Sequence, residues 1–234
     1  MFSFKQFNVS QENCPLKINT DGVLLAALAN VANNLNILDI GTGTGVIALM
    51  LAQRNILAQI DAVEIDAEAT KTAKHNFNNS PFKIRLQVFN QSFEDYFNDN
   101  PHKYYDKIVS NPPFFINALK SPEEKKNLAR HTNINFFHNL FALSAKHLNV
   151  NGTLEIIIPT QIEEQIVSIA KTHNLFVNSK TNISSFANDK PIRSLLNFGK
   201  LEVPFSETFF NIYEAQGLHS LAYKTVLKDF FINF

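Results

Sequence analysis

The chain of 234 residues contains one cysteine, no tryptophan and a formal net charge of zero, and each shortage excludes a class of protein. A single thiol, Cys14, forms no internal disulfide and no cysteine-cluster zinc site, and it is typical of a protein from a reducing compartment. A balance of 21 basic and 21 acidic residues argues against non-specific coating of nucleic acid. The histidines have no metal-ligand spacing, so no bound metal is expected.

Long apolar runs are also missing, although 45% of the residues are hydrophobic. No stretch of about 18 apolar residues exists, so no membrane-spanning helix is expected. Residues 1–7 lack the charged start and apolar core of a secretion signal, which favours a cytoplasmic location. The length suits a single α/β domain over residues 1–234, with residues 1–34 as an N-terminal region and residues 35–234 as the core.

Glycines are few, yet three of them alternate in one turn. An apolar strand over residues 36–40 leads into Gly41, Gly43 and Gly45, and an apolar helix follows. Strand, glycine turn and helix together favour a nucleotide site, because glycines let a ligand approach the backbone. The spacing differs from the dinucleotide fingerprint, and Asp39 precedes the turn. A carboxylate there disfavours a pyrophosphate and favours a cationic amino-acid headgroup or a sulfonium.

This turn resembles motif I of the class I S-adenosylmethionine (AdoMet) methyltransferases, D-x-G-x-G-x-G. The resemblance implies that Gly41, Gly43 and Gly45 pass close to the methionine part and the ribose of AdoMet. A glycine-rich loop without a ligand is the alternative.

A second apolar strand ends in the sequence V-E-I-D, residues 63–66. Glu64 lies 23 positions after Gly41, near the offset of about 20 residues at which such folds place a ribose-binding carboxylate. We therefore expect Glu64 to accept hydrogen bonds from the two ribose hydroxyls. Asp66 is expected to cap a helix over residues 67–78, and a capping role for both acids is the alternative.

The fourth predicted strand, over residues 105–110, ends in Asn-Pro-Pro-Phe, a group suited to a planar ligand that carries an NH2. The Asn111 side-chain oxygen and the Pro112 carbonyl can accept its two N–H bonds, and Phe114 can cover its face. The prolines donate no N–H and stiffen the turn. A rigid strand exit without a ligand is the alternative. The ends of all three strands are predicted to meet at one crevice.

The alternation of strands and helices predicts an α/β fold with helices on both faces of a mostly parallel sheet. Seven strands are predicted, with an antiparallel strand at the edge. Residues 90–100 are interpreted as a variable stretch and residues 116–133 as a polar loop. Residues 16–26 predict a helix capped by Thr20 or Asp21, which either packs on the core or covers the AdoMet pocket.

With both motifs present, the chain resembles class I amino-methyltransferases with an N-P-P-[YF] motif, and within them the tRNA1(Val) (adenine(37)-N6)-methyltransferase family. The narrower match, which extends over nearly the whole length, is carried by K-I-N-T-D-G-V-L-L (residues 17–25), D-I-G-T-G-T-G, V-E-I-D, S-N-P-P-F-F, A-R-H (residues 129–131) and L-K-D-F-F (residues 227–231). The resemblance implies a Rossmann-like class I methyltransferase fold, AdoMet as cofactor, and methylation of the exocyclic N6 amine of an adenine in tRNA.

One position departs from that family, which usually has an aspartate after the third strand that contacts the AdoMet adenine. Ser92 stands there in this chain, so a weaker adenine contact is expected, with Phe93 packing on the ring. The residues expected to contact the RNA substrate are Pro113, Lys120, Lys125, Lys126, Arg130, His131 and, as a weaker candidate, Arg193. For the lysines a solvated, ion-paired surface is the alternative, because Glu123 and Glu124 interrupt their run.

Other functions stay open on the sequence alone. Asn-Pro-Pro-Phe also suits methylation of guanine N2 in RNA or of a glutamine N5 in a protein, since both present an amine or amide to the same acceptors. A non-catalytic AdoMet-fold subunit that stabilises a partner is a further alternative. The chain is expected to act as a monomer.

Overall fold

The computed structural model describes residues 1–112 and 123–233, without the side chains of residues 123–133. The helices in this part of the chain are α1 (Thr20–Leu28), α2 (Val46–Arg54), α3 (Ala67–Asn78), α4 (Phe93–Asp99), α5 (Glu123–His147), α6 (Glu163–Thr172) and α7 (Leu221–Leu227). The strands are β1 (Phe2–Ser3), β2 (Asn8–Val9), β3 (Asn36–Ile40), β4 (Gln59–Glu64), β5 (Leu86–Asn90), β6 (Tyr105–Ser110), β7 (Leu148–Pro159), β8 (Phe176–Ser184), β9 (Arg193–Gly199), β10 (Ser206–Asn211), β11 (Tyr213–Ala215) and β12 (Leu218–His219).

The central sheet has eight strands in the order β10-β8-β9-β7-β6-β3-β4-β5. Every neighbouring pair is parallel except the two pairs that β9 makes with β7 and β8. The predicted α/β fold with a mostly parallel sheet is therefore confirmed. Because the carboxyl ends of parallel strands meet at one edge, the turns after β3, β4 and β6 lie side by side.

Two details of the predicted sheet are wrong. An eighth strand, β10, pairs in parallel with β8, and the antiparallel strand β9 lies inside the sheet and not at its edge. The consecutive residues Leu195 and Leu196, which point to opposite faces, are both buried in β9. Burial on both faces is typical of an interior strand. The apolar pattern identifies such a strand, but it does not identify its neighbours.

The core consists of two apolar layers, one on each face of the sheet. Consecutive residues of a strand point to opposite faces, so Ile37 packs in the layer that contains α1 and α2, whereas Leu38 packs against residues of α4, α5 and α6. Both side chains are fully buried. The predicted placement of helices on both faces is confirmed.

Two segments expected to lack regular structure are helical. Residues 93–99 form α4, which begins after Ser92. Helix α5 begins at Glu123, so the prediction of a polar loop is wrong for residues 123–133. Acidic residues in a first turn interact favourably with the helix dipole, which explains why the sequence from Glu123 onward supports a helix despite its polarity.

Helix α1 is capped by Asn19, and not by Thr20 or Asp21 as expected. The Asn19 backbone is extended, and its side-chain oxygen accepts a hydrogen bond from the Gly22 N–H, so Thr20 and Asp21 already lie in the first turn. The helix buries Gly22 through Ala27 and contacts α2, as the packing alternative requires. Within the described residues no helix combines the length and apolar composition needed to cross a bilayer.

Candidate active site

The glycine turn after β3 has a backbone conformation that residues other than glycine rarely adopt. Gly41, Gly43 and Gly45 have φ angles of 72°, 55° and 81°. A Cβ at Gly45 would lie 2.5 Å from Cε1 of Phe77, whereas at Gly41 and Gly43 it would meet nothing within 4 Å. Gly45 is therefore required by packing as well as by conformation. The other two glycines border open space, which leaves their backbone accessible to a ligand.

The N–H groups of Gly41, Thr42 and Gly43 are already bonded within the protein, which distinguishes this turn from a phosphate-binding loop. Gly41 and Thr42 both donate to the Val63 carbonyl, at 2.9 and 3.1 Å. Gly43 donates to the Glu64 side-chain carboxylate at 2.9 Å. An anionic acceptor at this point repels a pyrophosphate, in agreement with the expectation that an acidic residue near the turn disfavours such a ligand.

Glu64 lies at the end of β4 with both carboxylate oxygens in contact with the backbone. Oε2 accepts from Gly43 N, and Oε1 accepts from Asp66 N at 2.9 Å. Each oxygen has further acceptor capacity, so this carboxylate can also receive two hydroxyl donors. Asp66 caps α3 by accepting from Glu68 N and Ala69 N, at 2.9 and 2.8 Å, as predicted.

Asp39 lies beneath the glycine turn and is fully buried. Its Oδ2 accepts a 2.6 Å hydrogen bond from the Thr42 hydroxyl, and its Oδ1 has no hydrogen-bond partner among the described residues. Burial raises the pKa of this carboxyl to about 7, against the opposing effect of the Thr42 bond and with a further rise from the Glu64 charge. Thr42 also lines a cavity that contains Glu64 and Asn111, and Asp39 is connected to that cavity through its hydrogen bond with Thr42.

One cavity joins the glycine turn, Glu64 and Asn111. It is lined by residues 14–19, 22, 41–44, 46, 47, 64, 66, 69 and 111. The ends of β3 and β6 are held together by their pairing and by the Ser110 hydroxyl, which donates to the Ile40 carbonyl at 2.9 Å. The crevice predicted from three separate strand ends therefore exists, and the Asn111 side chain lies on the same side of the sheet as the glycine turn.

Asn111 is half-buried at the cavity wall, followed by the buried Pro112. Its Nδ2 donates to Oδ1 of Asn19 at 3.4 Å, a contact that the sequence did not suggest. Pro113, Phe114 and Lys120 lie outside the described residues, as do the side chains of Arg130, His131, Lys125 and Lys126.

Ser92 and Phe93 do not line this cavity. The Ser92 hydroxyl caps α4 by accepting from Asp95 N at 3.0 Å, and it donates to the Asp95 carboxylate at 2.8 Å. Phe93 is buried against the ring of Phe136, with 5.3 Å between centroids. Their contact with an adenine stays a prediction.

The segment before α1 forms one wall of the cavity, so residues 16–19 lie where the covering alternative for residues 16–26 places them. Lys17 lies at this wall and donates to the Gln11 carbonyl at 3.0 Å. Cys14 is buried there, and burial, together with the charges of Glu64 and Asp66, raises the pKa of its thiol to about 11. The thiol therefore stays protonated, as expected for an inert cysteine. The sequence offered two signals for this wall, the helix over residues 16–26 that could cover the pocket and the K-I-N-T-D-G-V-L-L match that begins at Lys17.

Arg193, a weaker candidate for RNA contact, is bound within the protein. Its Nε donates to Oδ2 of Asp21 at 2.7 Å, and this ion pair joins the start of β9 to the first turn of α1. Among the described residues no group of three or more metal-binding side chains is found.

The comparisons with known proteins agree with this geometry. Residues 19–182 match the methyltransferase small domain family. A tRNA1(Val) (adenine(37)-N6)-methyltransferase from Pedobacter heparinus is 47% identical over 233 residues, covering 100% of this chain and 98% of that protein. The chain therefore belongs to the methyltransferase small domain family, and within it to the tRNA1(Val) (adenine(37)-N6)-methyltransferases. A relative of the same name from Flavobacterium psychrophilum is 39% identical over 233 residues, covering 99% of both chains.

Solved structures show that the fold of this family extends to distant methyltransferases. A predicted O-methyltransferase from Agrobacterium tumefaciens has a TM-score of 0.69 at 17% identity, covering 90% of this chain and 96% of its own. A methyltransferase from Pyrococcus furiosus has a TM-score of 0.55 at 18% identity, covering 81% and 90%. The Rossmann-like class I methyltransferase fold is therefore confirmed.

Proposed function

We propose that this protein methylates the exocyclic N6 amine of an adenine in tRNA, adenine 37 of tRNA1(Val), with AdoMet as the methyl donor. One observation carries the proposal: the glycine turn, Glu64 and the Asn111 amide line a single cavity. The relatives named for this reaction match the chain over its whole length, which supports the same substrate.

The cavity fits AdoMet by the chemistry of its walls. Gly41 and Gly43 leave open space for the methionine part and ribose, and Glu64 retains acceptor capacity for two ribose hydroxyls. Lys17 provides a cation for the methionine carboxylate. A cationic ligand beside Thr42 favours the ionised form of the buried Asp39 carboxyl, and the charge of that carboxylate attracts the ligand in turn. Ser92 and Phe93 remain candidates for the adenine.

The residues at the end of β6 perform the chemistry on the target amine. When bound, AdoMet supplies an electrophilic methyl group on its sulfonium. The Asn111 side-chain oxygen and the Pro112 carbonyl accept the two N–H bonds of the amine, so that its lone pair is directed at the methyl group. The target base leaves the RNA stack to enter the cavity, and Phe114 stacks on it there. The electron pair of the broken carbon–sulfur bond would stay with the sulfur, and the positively charged methylated nitrogen would release one proton to water, so no strong general base is needed.

The residues that follow the Asn-Pro-Pro-Phe turn bind the tRNA. Lys120, Arg130 and His131 contact RNA phosphates, and Pro113 shapes the base pocket. A tRNA substrate agrees with a cytoplasmic location. A monomer is sufficient for the proposed reaction, because every group in it comes from one chain.

The test is transfer of a labelled methyl group from AdoMet to an unmodified tRNA1(Val) transcript, followed by nucleoside analysis. N6-methyladenosine should form, and a transcript with guanine at position 37 should accept no label. Bulk RNA that yields N2-methylguanosine, or a release factor that yields methylglutamine, would assign the cavity to a different target nitrogen. Calorimetric titration without any AdoMet binding would indicate a non-catalytic partner subunit.

A further inference from the structure

The Asn111 side chain contacts a residue of another element, the cap of α1. Its Nδ2 donates to Oδ1 of Asn19, 92 positions earlier in the chain, at 3.4 Å. The two side chains meet where Gly22 has no side chain. A Cβ at Gly22 would lie 3.4 Å from Nδ2 of Asn111 and 3.5 Å from Oδ1 of Asn19.

The orientation of the Asn19 amide is determined by the backbone of α1. Oδ1 of Asn19 accepts from the Gly22 N–H at 2.9 Å, and an NH2 group in that place would face a donor. Because Oδ1 also faces Asn111, the group that Asn111 directs at it must be a donor. The Nδ2 of Asn111 therefore points to Asn19, and its oxygen points the other way.

We infer that Asn19 is a positioning residue, which keeps the Asn111 side-chain oxygen directed at the substrate amine. This inference rests on the proposed function, since the amine is the group that needs an acceptor. A half-turn of the Asn111 amide exchanges its oxygen and its NH2. The flipped form presents an NH2 donor to the amine. It can no longer accept an N–H bond from the amine, so the lone pair of the amine is not directed at the methyl group.

The experiment separates positioning from capping with two substitutions. Serine is a good N-cap, but its hydroxyl lies nearer its own backbone than the Asn19 oxygen does, so Asn19→Ser keeps the Gly22 bond and loses the contact at 3.4 Å. Aspartate has the shape of asparagine and only acceptor oxygens, so Asn19→Asp keeps both bonds. Asn19→Asp is therefore the conservative rescue variant.

For methyl transfer, Asn19→Ser should lower kcat about tenfold, which corresponds to the loss of one neutral hydrogen bond. Asn19→Asp should retain kcat within about threefold. Neither variant should change the melting temperature or the Kd for AdoMet measured by calorimetry. Equal kcat values for wild type and Asn19→Ser would overturn the inference, as would a loss that Asn19→Asp shares.

A second measurement does not depend on the reaction. In NMR spectra of the whole chain, the Asn111 side-chain NH2 protons should show a cross-relaxation signal to the Gly22 α-protons, because Nδ2 lies next to them. The signal should persist in Asn19→Asp and disappear in Asn19→Ser. Its absence in the wild type, or its persistence in Asn19→Ser, would overturn the positioning role. If the signal behaves as expected while no adenine is methylated, the proposed function fails and the orientation of Asn111 stands.

Discussion

The two sides of the cavity are built differently. On the cofactor side, Glu64 and the glycine turn are connected by short bonds between neighbouring strand ends, since Gly41 N and Gly43 N each donate at 2.9 Å to the end of β4. On the substrate side, the Asn111 amide has, among the described residues, one long hydrogen bond, to a helix cap 92 positions away. The difference indicates that the cofactor side is formed by local backbone geometry, whereas the substrate side depends on how α1 packs.

Substitution at Asn111 should have the largest effect and should leave the cofactor side unchanged. Asn111→Ala removes an acceptor that acts on the reacting amine, and loss of one such group costs about 10²–10³ in kcat. The Kd for AdoMet should change less than about threefold, because the partners of Glu64 and the glycine turn are retained. Single-turnover methyl transfer and calorimetry measure the two quantities. A weakened AdoMet affinity would mean that the two sides are not separable.

Glu64 provides the converse experiment on the cofactor side. Glu64→Ala removes an acceptor for Gly43 N, for Asp66 N and for the ribose, so the Kd for AdoMet should rise about 10- to 100-fold. At saturating AdoMet the rate should stay within about threefold of wild type. Glu64→Gln keeps one acceptor oxygen, so its Kd for AdoMet should lie between those of the wild type and Glu64→Ala. Calorimetry that gives Glu64→Ala the wild-type Kd would contradict the ribose assignment.

Gly45 tests whether the cofactor side is rigid because of its backbone. Gly45→Ala places a methyl group 2.5 Å from Phe77 at a φ of 81°, which should lower the free energy of unfolding by about 2–4 kcal/mol. Gly217→Ala is the matched control, since its φ is 75° but its Cβ meets nothing within 4 Å. That control should cost about 1 kcal/mol. Urea denaturation measures the free energy of unfolding of both variants. Equal losses would show that the Phe77 ring moves aside without destabilising the protein.

Asp39 should give the cofactor side a pH-dependent stability. Its folded pKa of about 7 lies above the ordinary aspartate pKa of 3.8, so the folded state binds more protons between these two pH values. The contribution of Asp39 to stability is therefore largest below the unfolded pKa and falls as the pH rises through the folded pKa, by at most about 1.4 kcal/mol per pH unit. Between pH 5 and 8, Asp39→Asn should show a smaller decline in melting temperature than wild type. Parallel curves for the two proteins would contradict the raised pKa.

The sequence predicted the elements around the cofactor side well. Strand β3, the start of α2, the Asp66 cap and the bounds of α3 agree with the structure, because each depends on residues close together in the chain. The cap of α1 and helix α4 were missed. Ser92 could have indicated α4, since a serine followed three residues later by an aspartate is typical of a helix start.

The sequence by itself determined the strand–glycine–helix unit and the position of an amide at the end of β6. A glycine permits a positive φ angle and a proline restricts its own φ, so the backbone of such turns depends mainly on residues that are close together in the chain. Only the tertiary structure decided that β9 lies inside the sheet, that Arg193 binds Asp21, and that Asn19 faces Asn111. These contacts join distant segments, and their geometry arises from the packing of whole helices and strands, which no local pattern records.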